Sequence, residues 1–279
     1  MAISDVSLTA GMRSNLLNLQ QTSVLLERTQ TRLSTGKKVN SALDDPVNFF
    51  KAQAYTNRAT DLAGLKDGMS DAIQTVKAAD AGIKNLTTLI ASAKSIAAAA
   101  RTSSGSADLD ALELQFDQVI TQIANLAEDS GYGGINLLSS NSLVVTFDPA
   151  GSNVLTVTGQ ASDVAGHIAG ITVDPAAFNT NGSPNTGAIA TATTQLDSAL
   201  SALRTQSKNL SSNLGIITSR QDFTASMIAV LQTGADNLTL ADMNEEGANM
   251  LMLQTRQALG TTALSMASQA AQSVMRLFG

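Results

Sequence analysis

The chain has 279 residues, 43% of them apolar, enough for two or three small domains or one long bundle. Aromatics are 3% with no Trp, charged residues are 14% against the roughly 25% usual in soluble proteins, and the net charge is −6. That profile excludes a bulky compact core and a basic nucleic-acid surface, and the absence of Cys excludes disulfide and thiol chemistry. Low charge also implies that much of the surface meets other protein, because charged groups are costly to bury. No run of about 18 apolar residues is present, so no membrane-spanning helix is expected. Met1 to Gly11 shows no basic region ahead of an apolar core. A cleaved secretory leader is therefore not expected, which points to the cytoplasm or to an export route without cleavage.

The first element runs from Ser4 to about Ser34. Steps of four and three residues meet Met12, Leu16, Leu19, Ser23, Leu26, Gln30 and Leu33, a moderate coiled-coil stripe. Gly36 is the expected left-handed residue that ends it. The second element begins at Asp44-Asp45-Pro46, where an acid caps and Pro takes the first helical position. No breaker follows until Ser103-Ser104-Gly105-Ser106, so the predicted helix to Ala100 is roughly 80 Å long. Its three-four steps from Leu62 through Leu65, Met69, Ala72, Val76, Ala79, Ile83, Leu86, Ile90 and Ala93 to Ala97 are all apolar. Lys66, Asp71, Lys77, Asp80 and Lys84 are expected across the back of that face.

A third helix is predicted from a cap at Ser106 or Asp108 to Glu128, with Leu109, Leu112, Phe116, Val119, Ile123 and Leu126 as its stripe. The short preceding loop makes it an antiparallel neighbour of the second. Beyond Asp129 the composition shifts. Ser142 to Phe147 and Asn153 to Thr158 alternate, joined by Asp148-Pro149-Ala150-Gly151, and read as a hairpin. Ile168 to Val173 is a further strand candidate. Residues 138–187 form a small β-rich or irregular insert. Helix resumes near Ala188 and is expected to end near Gly234, with Ile189, Leu196, Leu200, Leu203, Leu210, Leu214 and Ile217 in its stripe. The last helix, from about Leu240 to Leu277, carries Met252, Leu259, Ala263, Met266, Ala270 and Leu277 on one stripe, widened by Leu264, Ala271 and Phe278.

The expected fold is mainly α: a long antiparallel coiled-coil-like bundle with a small hairpin insert and paired terminal helices. The domains expected are 1–40 with 238–279 for the terminal pair, 41–137 with 188–237 for the bundle, and 138–187 for the insert. Two thin helices with sparse stripes bury too little alone to offset their ordering entropy. The termini are therefore expected to be loose in the free monomer and to fold on polymerisation. Protection of the termini from native proteolysis equal to that of Leu62–Ala97 would contradict this.

The stretch from Arg32 to Asp45, Arg-Leu-Ser-Thr-Gly-Lys-Lys-Val-Asn-Ser-Ala-Leu-Asp-Asp, resembles the N-terminal signature of bacterial flagellins. Its family positions are Arg32, Leu33, Gly36, Asn40, Ser41, Asp44 and Asp45. The resemblance continues in Ala78-Ala-Asp-Ala-Gly-Ile83, Asp108-Leu-Asp, Tyr132-Gly-Gly-Ile-Asn-Leu-Leu138 and Ala241 to Phe278. It implies a subunit exported unfolded through the flagellar type III channel, with an export chaperone, and polymerised under a cap into a hollow filament for swimming. The terminal pair lines an inner tube and the bundle forms an outer one. The polymerisation face implied is Met12, Leu16, Leu19, Leu26 and Leu33 with Met252, Leu259, Met266, Leu277 and Phe278. Partners implied are further copies, other flagellins, the export apparatus, the cap and hook-junction proteins. The resemblance also permits O-glycosylation of the insert, at exposed positions such as Thr180, Ser183 or Thr186. Ser92 stands where enteric-type flagellins carry the arginine read by a Toll-like receptor, so weak receptor activation is expected.

No catalytic, cofactor or metal site is expected. Lone His167 in a Gly-rich loop, with no Cys, makes no zinc site. Ser34-Thr-Gly-Lys37 lacks the first Gly of a phosphate loop. Asp44-Asp45 reads as a cap, and Glu245-Glu246 as first-turn acids suited to the helix dipole. Three alternatives stand beside this reading: a hook–filament junction protein of the same family, an enzyme displayed on a filament, and a secreted coiled-coil translocator. The second lacks a His-Glu-x-x-His, and the third lacks a long apolar segment.

Overall fold

The computed structural model describes residues 10–139, 141–159 and 178–278. Among them are five helices: α1 (Ala10–Thr35), α2 (Pro46–Thr102), α3 (Ser106–Asp129), α4 (Thr186–Thr239) and α5 (Met243–Phe278). Between α3 and α4 lie two small antiparallel hairpins, β1 (Ser142–Thr146) with β2 (Val154–Thr158), and β3 (Asn179–Thr180) with β4 (Ser183–Pro184). The mainly α class with long helices and a hairpin insert is as expected. Residues 4–9, His167 and the strand candidate Ile168–Val173 lie outside the described residues. The chain divides into two compact units, 1–58 with 230–279, and 59–229, so both boundaries fall inside α2 and α4.

In unit 59–229 the core is a set of helical stripes with a seven-residue repeat. Ten of the eleven expected α2 positions from Leu62 to Ala97 are buried, and only Leu65 is half-buried. On α4, Ile189, Leu196, Leu203, Leu210, Ile217 and Thr224 are buried at every seventh position. On α3, Leu109, Phe116 and Ile123 are buried, and the intervening Leu112, Val119 and Leu126 are half-buried. Nearly all of these belong to one continuous cluster.

Cross-links set the helix directions. Lys94 Nζ meets Asp197 Oδ1 at 2.5 Å, the Ser207 hydroxyl donates to Asp80 at 3.1 Å, and Gln221 Nε2 donates to Ser70 Oγ at 2.7 Å. Partner numbers rise along α4 as they fall along α2, so the two run antiparallel. Asp80, expected on the back of α2, therefore sits on its flank, held by Ser207 and by Lys84 at 2.7 Å. The other end of α3 returns to α2 at Gly82, where a Cβ would overlap the Ser130 side chain.

Several ends differ from expectation. The α3 cap is Gly105, in extended conformation, whose carbonyl accepts the Leu109 N–H at 3.0 Å, rather than Ser106 or Asp108. Ser106 Oγ accepts instead from Asn179 Nδ2 at 2.8 Å. At its far end, Asn136 Nδ2 donates to the carbonyls of Ala127 and Glu128 at 2.8 and 2.9 Å, satisfying two orphan acceptors of α3. Helix α4 starts at Thr186, with Asn185 Oδ1 accepting the Ala188 N–H at 3.2 Å. It continues through Gly234 to Thr239. A glycine inside a helix costs about 1 kcal/mol relative to Ala. Here its missing side chain leaves room for the Tyr55 ring, which lies 3.4 Å from where a Cβ would stand. The last helix starts at Met243 rather than Leu240, capped by Asp242 Oδ1, which accepts the Asn244 N–H at 2.9 Å.

The first hairpin has the expected turn: the Gly151 N–H donates to Asp148 O at 3.1 Å with Gly151 at φ +71°. Leu143, Val145 and Val157 enter the bundle core. The second hairpin was not expected. Asn181 and Gly182 hold φ +53° and +82°, the left-handed pair that suits a two-residue turn. It is tied down by Phe178, fully buried with its ring 5.0 Å from that of Phe116. Buried Glu113 accepts the Phe178 N–H at 3.3 Å, and Asn179 Nδ2 also donates to Asp110 Oδ1 at 2.7 Å.

Candidate functional site

In unit 1–58 with 230–279, α1 packs against α5. A Cβ on Gly260 would lie 2.7 Å from Leu19 Cδ2, and Arg32 Nη1 donates to Glu246 Oε1 at 2.7 Å. Low numbers on one helix meet high numbers on the other, so the pair is antiparallel. Buried and half-buried positions trace the seam: Met12, Asn15, Leu19, Thr22, Leu26, Thr29 and Leu33 on α1, with Glu246, Met250, Leu253, Gly260, Leu264, Ala267 and Ala271 on α5.

This seam is one step away from the stripe expected on α1. Steps of three then four from Met12 pass through Asn15, Thr22 and Thr29, where the expectation had Leu16, Ser23 and Gln30, all of which are exposed. Threonine suits a helix seam: the Thr22 hydroxyl bonds the Asn18 carbonyl at 2.8 Å, leaving its methyl to pack. On α5, Met252, Leu259 and Met266, spaced by seven, are 45%, 65% and 60% exposed. Leu16, Leu17, Val24 and Leu25 are likewise exposed on α1. The ten candidate interface residues thus divide. Met12 is buried, Leu19, Leu26 and Leu33 are half-buried in the seam, and Leu16, Met252, Leu259 and Met266 face solvent. The side chains of Leu277 and Phe278 lie outside the described residues.

The signature residues build the link between α1 and α2. Gly36 takes φ +69°, and its N–H returns to Arg32 O at 2.8 Å. The chain then pairs with the loop after α4. Lys38 N–H donates to Thr239 O at 2.7 Å and Ala241 N–H to Gly36 O at 3.0 Å. Asp44 Oδ2 accepts the backbone N–H groups of Asn40 and Ser41 at 3.1 and 3.0 Å, and the Ser41 hydroxyl at 3.1 Å. Those bonds, Ser41's backbone foremost, hold the Asp44 carboxyl below its ordinary pKa. Asp45 caps α2 through the Asn48 N–H at 3.0 Å, and that bond lowers its pKa in turn. The adjacent acids therefore do two separate structural jobs, as a loop brace and a helix cap.

A cleft of about 310 Å³ opens here, lined by Arg28, Arg32, Lys38, Asp45, Asp242 and Glu246 among others. Glu246 is the residue that sequence reasoning undervalued. Its side chain is 8% exposed, one oxygen holds Arg32, and Oε2 has no partner. Its first-turn position advertised a dipole acid, and nothing local signalled an ion pair 214 residues away in sequence.

Thr180, Ser183 and Thr186 are exposed, on and beside the second hairpin, and Ser92 is exposed on α2. Among the described residues no group of three His, Cys, Asp or Glu is placed to hold a metal, and no helix is long and apolar enough to cross a membrane.

Comparison with known proteins agrees with this architecture. Residues 6–142 match the bacterial flagellin N-terminal helical region, and residues 186–278 match the bacterial flagellin C-terminal helical region. The stretch between them spans most of the insert. Flagellin FljM of Caulobacter vibrioides is 30% identical over 282 residues, covering 100% of both chains, and FljK of the same organism is 31% identical over 283 residues, again covering 100% of both. A flagellin of Brucella melitensis is 27% identical over 94% of this chain and 95% of its own. A crystal structure of Bacillus cereus flagellin is similar at 16% identity, TM-score 0.45, over 56% of this chain and 88% of that one.

The helices at the two ends of the chain match the terminal helical regions of a family of structural proteins. The chain belongs to the bacterial flagellin family and is a structural subunit of the extracellular flagellar filament.

Proposed function

We propose that the exposed stripes of α1 and α5 are the polymerisation face, with the terminal pair, residues 1–40 and 238–279, forming an inner tube and the bundle, 41–137 and 188–237, an outer one. The observation that carries this reading is the apolar surface left outside the α1–α5 seam. Leu16, Leu17, Val24 and Leu25 on one helix and Leu251, Met252, Leu259 and Met266 on the other stay in solvent in the single chain. Exposed apolar surface of this extent marks an interaction site. Further copies cover it. Exposed Gln257, Gln269 and Gln272, with half-buried Asn249, supply a weakly charged channel lining.

The same reading makes the chain a non-enzymatic subunit, handed to the flagellar export apparatus by an export chaperone and assembled between hook-junction proteins and a cap. Residues 138–187 form its outward surface, with Thr180, Ser183 and Thr186 open to O-glycosylation. Ser92, in place of an arginine, makes it a weak agonist of the Toll-like receptor that reads flagellins.

The test is electron microscopy of the purified chain with short filament seeds under salting-out conditions, beside a version lacking residues 1–34 and 240–279. Long hollow filaments from the full chain alone are expected. Growth of the truncated chain would refute a polymerisation face on the termini.

A further inference from the structure

We propose that the entry to α2 is a ridge that docks into a groove between α2 and α4 of a second copy, as an additional contact along the filament. The inference rests on the filament-subunit assignment and adds a contact separate from the α1 and α5 stripes.

The ridge is unusual for a soluble surface. Leu43, in the turn before α2, is 97% exposed, and Val47 and Phe50, three residues apart on one helical face, are 74% and 63% exposed. The Phe50 ring is steadied by an edge contact with Phe49 at 5.6 Å between centroids. Among the described residues of its own unit, nothing covers these side chains. The backbone beneath them is held firmly, because Asp44 braces the turn and Asp45 caps the helix. A rigid apolar ridge loses little freedom on docking, which favours binding.

The groove is in unit 59–229. Val76 and Leu210 form its buried floor, Ala81 and Leu214 its walls, and Lys77 and Lys84 its rim, in a space of about 250 Å³. Asp80 on the same wall is engaged by Lys84 and Ser207. Anchors at helical spacing laid in an apolar groove are a recurrent recognition mode. Charge agrees with shape. Two carboxylates, Asp44 and Asp45, stand beside the ridge, and both have lowered pKa values. The rim they would meet carries Lys77 in excess of the Lys84–Asp80 pair.

The second copy is the occupant the observations favour. Ridge and groove are different patches of one chain, so their contact is head-to-tail. Such contacts propagate as open helices when the rotation does not close, which is what a filament subunit requires.

The natural chain has no Cys, so introduced thiols report cleanly. Filaments are grown from an equal mixture of Val47→Cys and Ser211→Cys chains, Ser211 being exposed at the groove. They are then treated with a short bismaleimide. Covalent dimers are expected several-fold above those from Val47→Cys mixed with Leu114→Cys, a control on the exposed side of α3. The monomer mixture should give none. Phe50→Ser should leave monomer melting unchanged and slow seeded elongation at least tenfold. Filaments without the specific cross-link, or normal elongation of Phe50→Ser, would overturn the inference alone. Failure of the unaltered chain to extend seeds would refute the filament assignment and the inference with it.

Discussion

Removing Arg32 should damage the terminal pair far more than removing Glu246. The Glu246 side chain is 8% exposed and Arg32 is 24% exposed, and they meet at 2.7 Å. Arg32→Ala leaves a buried carboxylate with both oxygens unpaired, since Oε2 already lacks a partner. Breaking a buried pair in this way costs roughly 3–5 kcal/mol, which partial exposure of the arginine brings down to about 3. Glu246→Ala leaves a guanidinium on a flexible stem that can turn into the open cleft, at about 1 kcal/mol. Amide hydrogen exchange is the fitting assay, because it reads local opening of α1 and α5 separately from the bundle. At about 1.4 kcal/mol per tenfold, Arg32→Ala should speed exchange in the α1–α5 seam by roughly 100-fold, and Glu246→Ala by under tenfold. The double variant should resemble Glu246→Ala. Equal small effects from both single changes would show that Glu246 is hydrated and that the burial argument is wrong.

Leu203→Ala, at a fully buried position of α4, should lower stability of the 59–229 unit by about 2–5 kcal/mol in urea unfolding. Gly36→Ala forces a side chain into a φ of +69° and should cost about 1–2 kcal/mol, visible as faster exchange at the end of α1. The Asp44 and Asp45 carboxyls have pKa values below 3.8 in the folded chain, so their contribution is present above that value and lost as pH falls through the lowered ones. Exchange in residues 36–50 should therefore accelerate below about pH 4, and an Asp44→Asn variant should be faster already at neutral pH. Met252→Gln with Met266→Gln should leave monomer melting within about 0.5 kcal/mol of the parent, being solvent-facing, while abolishing growth from seeds.

Much of the fold was legible because burial on α2, α3 and α4 follows apolar side chains at a seven-residue repeat. The α1 seam was not, because Asn15, Thr22 and Thr29 lie in it while Leu16 lies outside. In a protein built to be covered by copies of itself, the most apolar stripe need not be the internal one. Gly234 resembles a helix stop in sequence, but its role comes from Tyr55, far away in sequence. The Asn181-Gly182 turn carries the residues of a tight turn, but flanking strands of two residues give no alternation to mark it. At the junction, the residues Arg32 to Asp45 stood out as a pattern. Their partners Thr239, Ala241 and Glu246 did not, because pairing across 200 residues leaves no local trace.

Gly82 has a consequence for how the helices find their alignment. A stripe that repeats every seven residues is nearly indifferent to sliding by one repeat: Leu109, Phe116 and Ile123 would meet equivalent apolar positions after such a slip. The close fit of Ser130 and Leu138 over the bare backbone of Gly82 removes that freedom. Shifted by seven in either direction, the same two side chains would land on Thr75 or Leu89, where a side chain already fills the space. One glycine thus works as an index mark on an otherwise periodic ruler, and a folding chain has a single setting at which the bundle closes.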